Sequence, residues 1–148
     1  SGGAAMAELN GCGDGVLKDE TFSNGGLRIT GDEPCIIIGS TIQGDIRAIN
    51  LPYILLLNNK VGGIIRVDGN GSGVANVIAN TVLGGNIVVR DNEVANVLEN
   101  DAVTGDILVN FNAKAFVQKN IAAQDIRCRD NTDLSAFLNL AGGKLNCN

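Results

Sequence analysis

Four cysteines, Cys12, Cys35, Cys128 and Cys147, and a spaced set of arginines are the residues of this 148-residue chain whose types could do chemistry. Arg28, Arg47 and Arg66 lie 19 residues apart, and Asp68, Arg90 and Asp91 follow them. Arginines brought together this way could hold an anion, and carboxylates beside them could hold a cation or move a proton. The chain has no His, which removes Ser-His-Asp and Cys-His nucleophile systems and any imidazole-bound metal. A calcium site needs about six to eight oxygens, and few carboxylates stand near the arginines. A glycoside hydrolase would need two carboxylates at a set separation; Asp68 with Asp91, or Asp101 with Asp106, are candidates that no motif supports. We therefore expect no catalytic set and no metal site. The candidate ligand-binding residues are Arg47, Arg66, Asp68 and Arg90.

What must position these residues is constrained by composition. The net charge is −5, with 11 Lys+Arg against 16 Asp+Glu, which argues against nucleic acid as a partner. The longest run of large aliphatic residues, Ile54–Leu57, is far short of the ~20 that a membrane-spanning helix needs. Only five residues are aromatic while 45% are hydrophobic, so one core filled by aliphatic side chains is expected.

A repeat orders that core. Leu27-Arg28-Ile29, Ile46-Arg47-Ala48, Ile65-Arg66-Val67, Ile87-Val88-Val89, Ile107-Leu108-Val109, Ile126-Arg127-Cys128 and Leu145-Asn146-Cys147 share the form apolar-x-apolar, at spacings of 19, 19, 22, 20, 19 and 19. This is the period-2 mark of a strand with one buried face. A second set of clusters runs from Ile36-Ile37-Ile38 to Phe137-Leu138, and a third column through Ile42, Val61, Val82, Val103, Ile121 and Leu140. Gly25, Gly44, Gly63, Gly85, Gly105 and Gly143 precede the repeat starts by two residues, which suggests corners of positive φ. The one long interval contains Gly69-Asn70-Gly71-Ser72-Gly73, expected to bulge outward.

Three short strands in about 19 residues make one coil of a parallel β-solenoid, which stacks like residues on like. Asn70, Asn92, Asn112 and Asn131 fall in one column, and Asn59, Asn80, Asn100, Asn120 and Asn139 in another. Amides stacked along the axis can bond to one another or to corner backbone groups. We expect an all-β, single-stranded right-handed parallel β-helix with coils of 19–22 residues. Roughly six coils over residues 25–148 would follow a cap over residues 1–24, in which Ala4 to Leu9 form a short helical turn and Ser1-Gly2-Gly3 is an expression scar. No apolar leader is seen in residues 1–24, so the chain reads as a mature form.

From residue 25 onward these columns resemble the right-handed parallel β-helices of the pectate-lyase-like superfamily and of secreted bacterial surface proteins. The segments Gln124–Asn131 and Gly143–Cys147 resemble the cysteine-bearing ends of small secreted bacterial β-solenoids. The resemblance implies an extracellular setting and, in the lyase branch, Asp residues that hold calcium beside an Arg or Lys that abstracts a proton from an acidic sugar. Arg47, Arg66, Asp68 and Arg90 are the nearest counterpart here, and calcium is the one cofactor that alternative would bring.

The cysteines sit two near each end. Cys128 and Cys147 hold the same inward place in consecutive coils, with Cα atoms expected about 4.8 Å apart. Cys12 and Cys35 are about one coil apart, so of the three pairings 12–35 with 128–147 is the one that joins adjacent coils. Oxidised cysteines point to a secreted or cell-surface protein. A new coil begins near Gly143 without a visible cap, leaving an edge blunted by the Cys128–Cys147 bridge or open to end-to-end or edge self-association.

Stacked arginines repel unless countered, and Asp45 with Arg47 and Asp125 with Arg127, each two apart on one strand face, are expected ion pairs. The expected function is a secreted, non-enzymatic solenoid with a structural, adhesive or glycan-contacting surface and an extracellular polysaccharide or cell-surface component as partner. The alternative is a lyase or hydrolase acting on an acidic polysaccharide. The six Thr form no column, so an ice-binding face is not expected. The fold reading predicts a far-ultraviolet circular dichroism spectrum dominated by β-structure; a strongly helical one would refute it.

Overall fold

The computed structural model describes residues 7–10, 12, 15–23 and 25–147. Its described residues form 22 short strands and no helix, arranged as three parallel sheets of eight, seven and seven strands. The chain visits the first, second and third sheets in turn, so each strand pairs with its counterpart one coil away. This is the parallel β-solenoid that the repeat implies. Ile46, Ile65, Ile87, Ile107 and Ile126 stack in register on the first sheet, all fully buried.

The amino-terminal segment departs from expectation. Ala7–Asn10 is a strand paired with Leu27–Thr30, where a helical turn was expected, and Val16–Lys18 and Thr21–Phe22 pair with the second and third sheets. These three strands thus form a further coil. Ala-Glu-Leu favours a helix locally, but the open edge of Leu27–Thr30 supplies backbone partners that local preference cannot outweigh. The proposed scar at Ser1–Gly3 lies outside the described residues.

Two polar ladders hold the corners. Asn59 Nδ2 donates to Asn80 Oδ1 (3.0 Å) and to Ile37 O (2.9 Å), and the Asn59 backbone N–H donates to the same Asn80 oxygen (3.0 Å). The unit repeats through Asn80, Asn100, Asn120 and Asn139, and begins at Ser40, whose N–H donates to Asn59 Oδ1. An amide has two donors and two acceptor sites, and the ladder fills all four at its inner members. A shorter ladder joins Asn92, Asn112 and Asn131. Asn70 is not part of it; it is exposed in the bulge, and its N–H donates to Asp68 Oδ1 (3.1 Å).

Each ladder asparagine follows a residue of positive φ, and these are rarely glycine: Ala79, Glu99, Lys119 and Leu138 precede one ladder, and Asp91, Phe111 and Asp130 the other. A left-handed conformation costs such residues about 1–2 kcal/mol each, so the ladder bonds sustain a corner that local preference disfavours. The glycines have another role. Gly44 and Gly105 do not have positive φ; a Cβ there would lie 2.6 Å and 2.5 Å from the backbones of Gly25 and Gly85 one coil below. Of the expected glycine corners, Gly25 and Gly85 do have positive φ.

The ladder also sets the phase of the third sheet. Two residues after Ser40, Asn59 and Asn80 come the buried Ile42, Val61 and Val82. The same count from Asn100 and Asn120 gives Ala102 and Ala122, which are buried, while Val103, Ile121 and Leu140 are exposed. The expected third column therefore slips by one residue in the last coils, exchanging faces as any one-residue shift must.

Asn100→Ala would take from the interior the acceptor of the Asn80 N–H, one of the two acceptors of Asn80 Nδ2 and the side-chain donor to Val77 O. At roughly 1–3 kcal/mol per unsatisfied buried group, urea unfolding should show a loss of about 3–5 kcal/mol. Asn70→Gly, in the exposed bulge, should change stability by under ~0.5 kcal/mol.

Candidate functional site

The arginines stand on the outward face of the first sheet because the strand alternates: Ile46, Ile65 and Ile87 point in, and the residue after each points out. Arg28, Arg47 and Arg66 are direct neighbours on consecutive strands, and Val88 follows Arg66. Parallel strands place them about 4.8 Å apart. Asp45 Oδ2 accepts from Arg47 Nη2 (3.3 Å), the expected pair, while Asp45 Oδ1 accepts the Ile64 N–H (2.9 Å). One carboxylate thus both closes a corner and neutralises one guanidinium. Glu8 occupies the register position beside Arg28. Among the described residues, Arg66 has no carboxylate within ion-pair distance.

Arg90 is differently placed. Its Nε donates to Asp91 Oδ2 (3.0 Å), lies 3.8 Å from Asp68 Oδ2, and its guanidinium sits 5.5 Å from the Phe111 ring centre. Of the four candidate ligand-binding residues, Asp68 and Arg90 engage each other, Arg47 is engaged by Asp45, and Arg66 has no carboxylate within ion-pair distance among the described residues. The candidate pair Asp68 and Asp91 is drawn together around Arg90. Asp101 lies on the third sheet, and Asp106 lies at a corner where its Oδ1 accepts the Asp125 N–H (2.8 Å). Among the described residues, no group of three or more Asp, Glu or Cys side chains is placed to hold one metal ion.

A third corner ladder was missed by the sequence reading. Asn86 Oδ1 accepts from Asp106 N–H, Asp106 Oδ1 from Asp125 N–H, and Asp125 Oδ1 from Lys144 N–H, each at 2.8 Å. The signal was present, since Asp45, Asn86, Asp106 and Asp125 each immediately precede a repeat start. Asp125 Oδ2 also accepts from Arg127 Nη2 (2.6 Å), the second expected pair. The Lys144 amide holds the Asp125 carboxyl below the ordinary value of 3.8; partial desolvation opposes this, and the hydrogen bond and charge of Arg127 and the charge of Lys144 reinforce it.

Cys12–Cys35 and Cys128–Cys147 are the disulfides, with Cα–Cα distances of 5.0 and 4.5 Å, the pairing expected from joining adjacent coils. A groove of about 400 Å³ opens over the third sheet, lined by Phe22, Ile42, Leu83 and one charged residue, Lys60. It is separate from the arginine face. No protein-family model, curated protein or solved structure matches this chain.

The Asp125 bonds make stability depend on acidity with a definite sign. A carboxyl lowered in the folded state stabilises it fully above the unfolded value and ceases to do so as pH falls through the folded value. Thermal melts should show wild type above Asp125→Asn at neutral pH, with the gap closing as the pH is taken below about 3.8.

Proposed function

We propose that the protein is a secreted, non-enzymatic β-solenoid module whose first-sheet face contacts an acidic polysaccharide of an extracellular or cell-surface matrix. The observation that carries this reading is the in-register stack of Arg28, Arg47 and Arg66, in which Arg66 has no carboxylate partner among the described residues. An extended polyanion lying along the solenoid axis would present one carboxylate after another to successive guanidiniums, each a planar donor fork suited to that group. The fixed strand spacing means little backbone ordering is left to oppose binding, so the ordering cost lies in the arginine side chains. Two disulfides are compatible with an oxidising compartment and so support the extracellular part of the proposal.

The ligand class follows from charge and shape. Rows of guanidiniums on an open sheet face favour a repeating anion over a small enclosed substrate, and the groove on the third sheet holds no carboxylate that could serve as acid or base.

Polygalacturonate is the probe. Binding measured by calorimetry at low salt should weaken as salt rises, and a neutral dextran should not bind. Arg66→Ala should lower the affinity about two- to fivefold, the scale of one exposed charge contact, with Arg28→Ala/Arg66→Ala lower still. Affinity indifferent to both changes would overturn the reading. Calcium-dependent release of unsaturated sugars, abolished by Arg66→Ala, would replace it with a lyase.

A further inference from the structure

The outward face of the second sheet is as apolar as that of the first is charged. The four strands Cys35–Ile38, Tyr53–Leu57, Val74–Ile78 and Val94–Leu98 turn eleven side chains outward; none is charged, and only Asn76 and Asn96 among them are amides. Ile38, Leu57, Ile78 and Leu98 make one unbroken row in register. Charge appears only toward the ends of the sheet, at Lys18, Lys114 and Asp133. Outward positions of a solenoid have no need of apolar residues, as the arginine face shows, so this composition calls for a cover.

We infer that the cover is a second copy of this chain, packed second sheet to second sheet about a two-fold axis. The area fits. Seven strands about 4.8 Å apart and five residues at about 3.3 Å span roughly 30 by 17 Å, and side-chain relief raises the accessible area to the order of 600 Å² or somewhat more. Two such faces together, the apolar centre and its charged ends included, reach the lower part of the range for stable interfaces, about 1,200–2,000 Å². Flat aliphatic sheets pack on each other about 10 Å apart, as in a β-sandwich. A two-fold interface must be self-complementary, and aliphatic rows meet this requirement without matching charges.

The amides agree with this geometry. Asn96 Nδ2 donates to Asn76 Oδ1 (2.8 Å), and Asn76 Nδ2 reaches Ile54 O at 3.4 Å. The pair therefore keeps unused donors and an acceptor on the outer face, which the same amides of a second copy can meet. Asn76 is the middle residue of Val74–Ile78, itself the fourth of the seven strands of the sheet. A two-fold axis through the centre of the face, along the solenoid or across it, brings Asn76 next to its own counterpart. The arginine face belongs to another sheet and remains open in both copies, so the pairing stands independently of the polysaccharide reading.

Sedimentation of the full chain at micromolar concentration should show a dimer. Leu57→Lys/Ile78→Lys should raise its dissociation constant by more than about a hundredfold while keeping the β-type dichroism. Asn76→Cys should give a single intermolecular adduct with a bis-maleimide linker about 10 Å long, the distance between facing sheets, which a direct disulfide, limited to Cα atoms within about 7 Å, would not span; this keeps the test valid if the lysine pair impairs folding. Arg66→Ala should leave the dimer unchanged whatever it does to polygalacturonate. A wild-type monomer, a dimer untouched by the lysine pair and not cross-linked through position 76, or a monomer that binds phosphatidylcholine vesicles would each overturn the inference.

Discussion

The buried asparagine ladder from Ser40 to Asn139 is the interaction on which the rest of the solenoid depends. Each rung ties one corner to the next through the side-chain oxygen and to a strand carbonyl through the side-chain nitrogen, so both the height and the rotation of a coil are fixed by its neighbour. Hydrophobic stacking alone would not do this, because burial is non-directional and an Ile column tolerates small slips. The ladder does not tolerate them: a displaced amide loses partners in the interior, at a cost of roughly 1–3 kcal/mol for each group left bare. Among the described residues no buried side-chain nitrogen or oxygen lacks a partner.

From that fixed register the other features follow in order. The corner residue before each asparagine is held at positive φ even where it is Ala, Glu, Phe, Lys or Leu. Two residues beyond each asparagine of the longer ladder the chain points inward, so the third sheet accepts Ala102 and Ala122 and turns Ile121 outward. Backbones at the opposite corner come so close that Gly44 and Gly105 have no room for a Cβ. Strict stacking of the first sheet then lines up Arg28, Arg47 and Arg66, whatever repulsion that creates.

Charge on this protein is handled by the same corners. Asp45 and Asp125 each give one carboxylate oxygen to a backbone N–H of the next coil and the other to an arginine two residues on. This double use fixes the carboxylates independently of any ligand and explains why Arg47 and Arg127 are countered. Arg66 has no equivalent, because Ile64 occupies the place that Asp45 and Asp125 hold in their coils. The result is a solenoid with two unlike broad faces, one bearing an incompletely neutralised row of guanidiniums and one almost without charge.

Counting along the chain is enough for the solenoid, the first strand of every coil from Leu27 onward, the longer asparagine column, both disulfides and the Asp45–Arg47 and Asp125–Arg127 pairs. These are legible because in a parallel stack a contact between coils is a recurrence at fixed spacing, so spatial neighbours can be counted along the chain. The strand at Ala7–Asn10, the inward alanines of the third sheet, the exclusion of Asn70 from its column and the neutralisation of Arg90 by Asp68 and Asp91 emerge only once the chain is folded. Each depends on a partner whose identity does not repeat: an open edge, a ladder that sets phase, a bulge that moves one residue off the axis, a carboxylate that reaches Arg90 from the preceding coil. Periodicity reports what stacks, but not which of two adjacent residues faces inward when Ala competes with Val or Ile, because there the polar corner outweighs the small gain in buried apolar area.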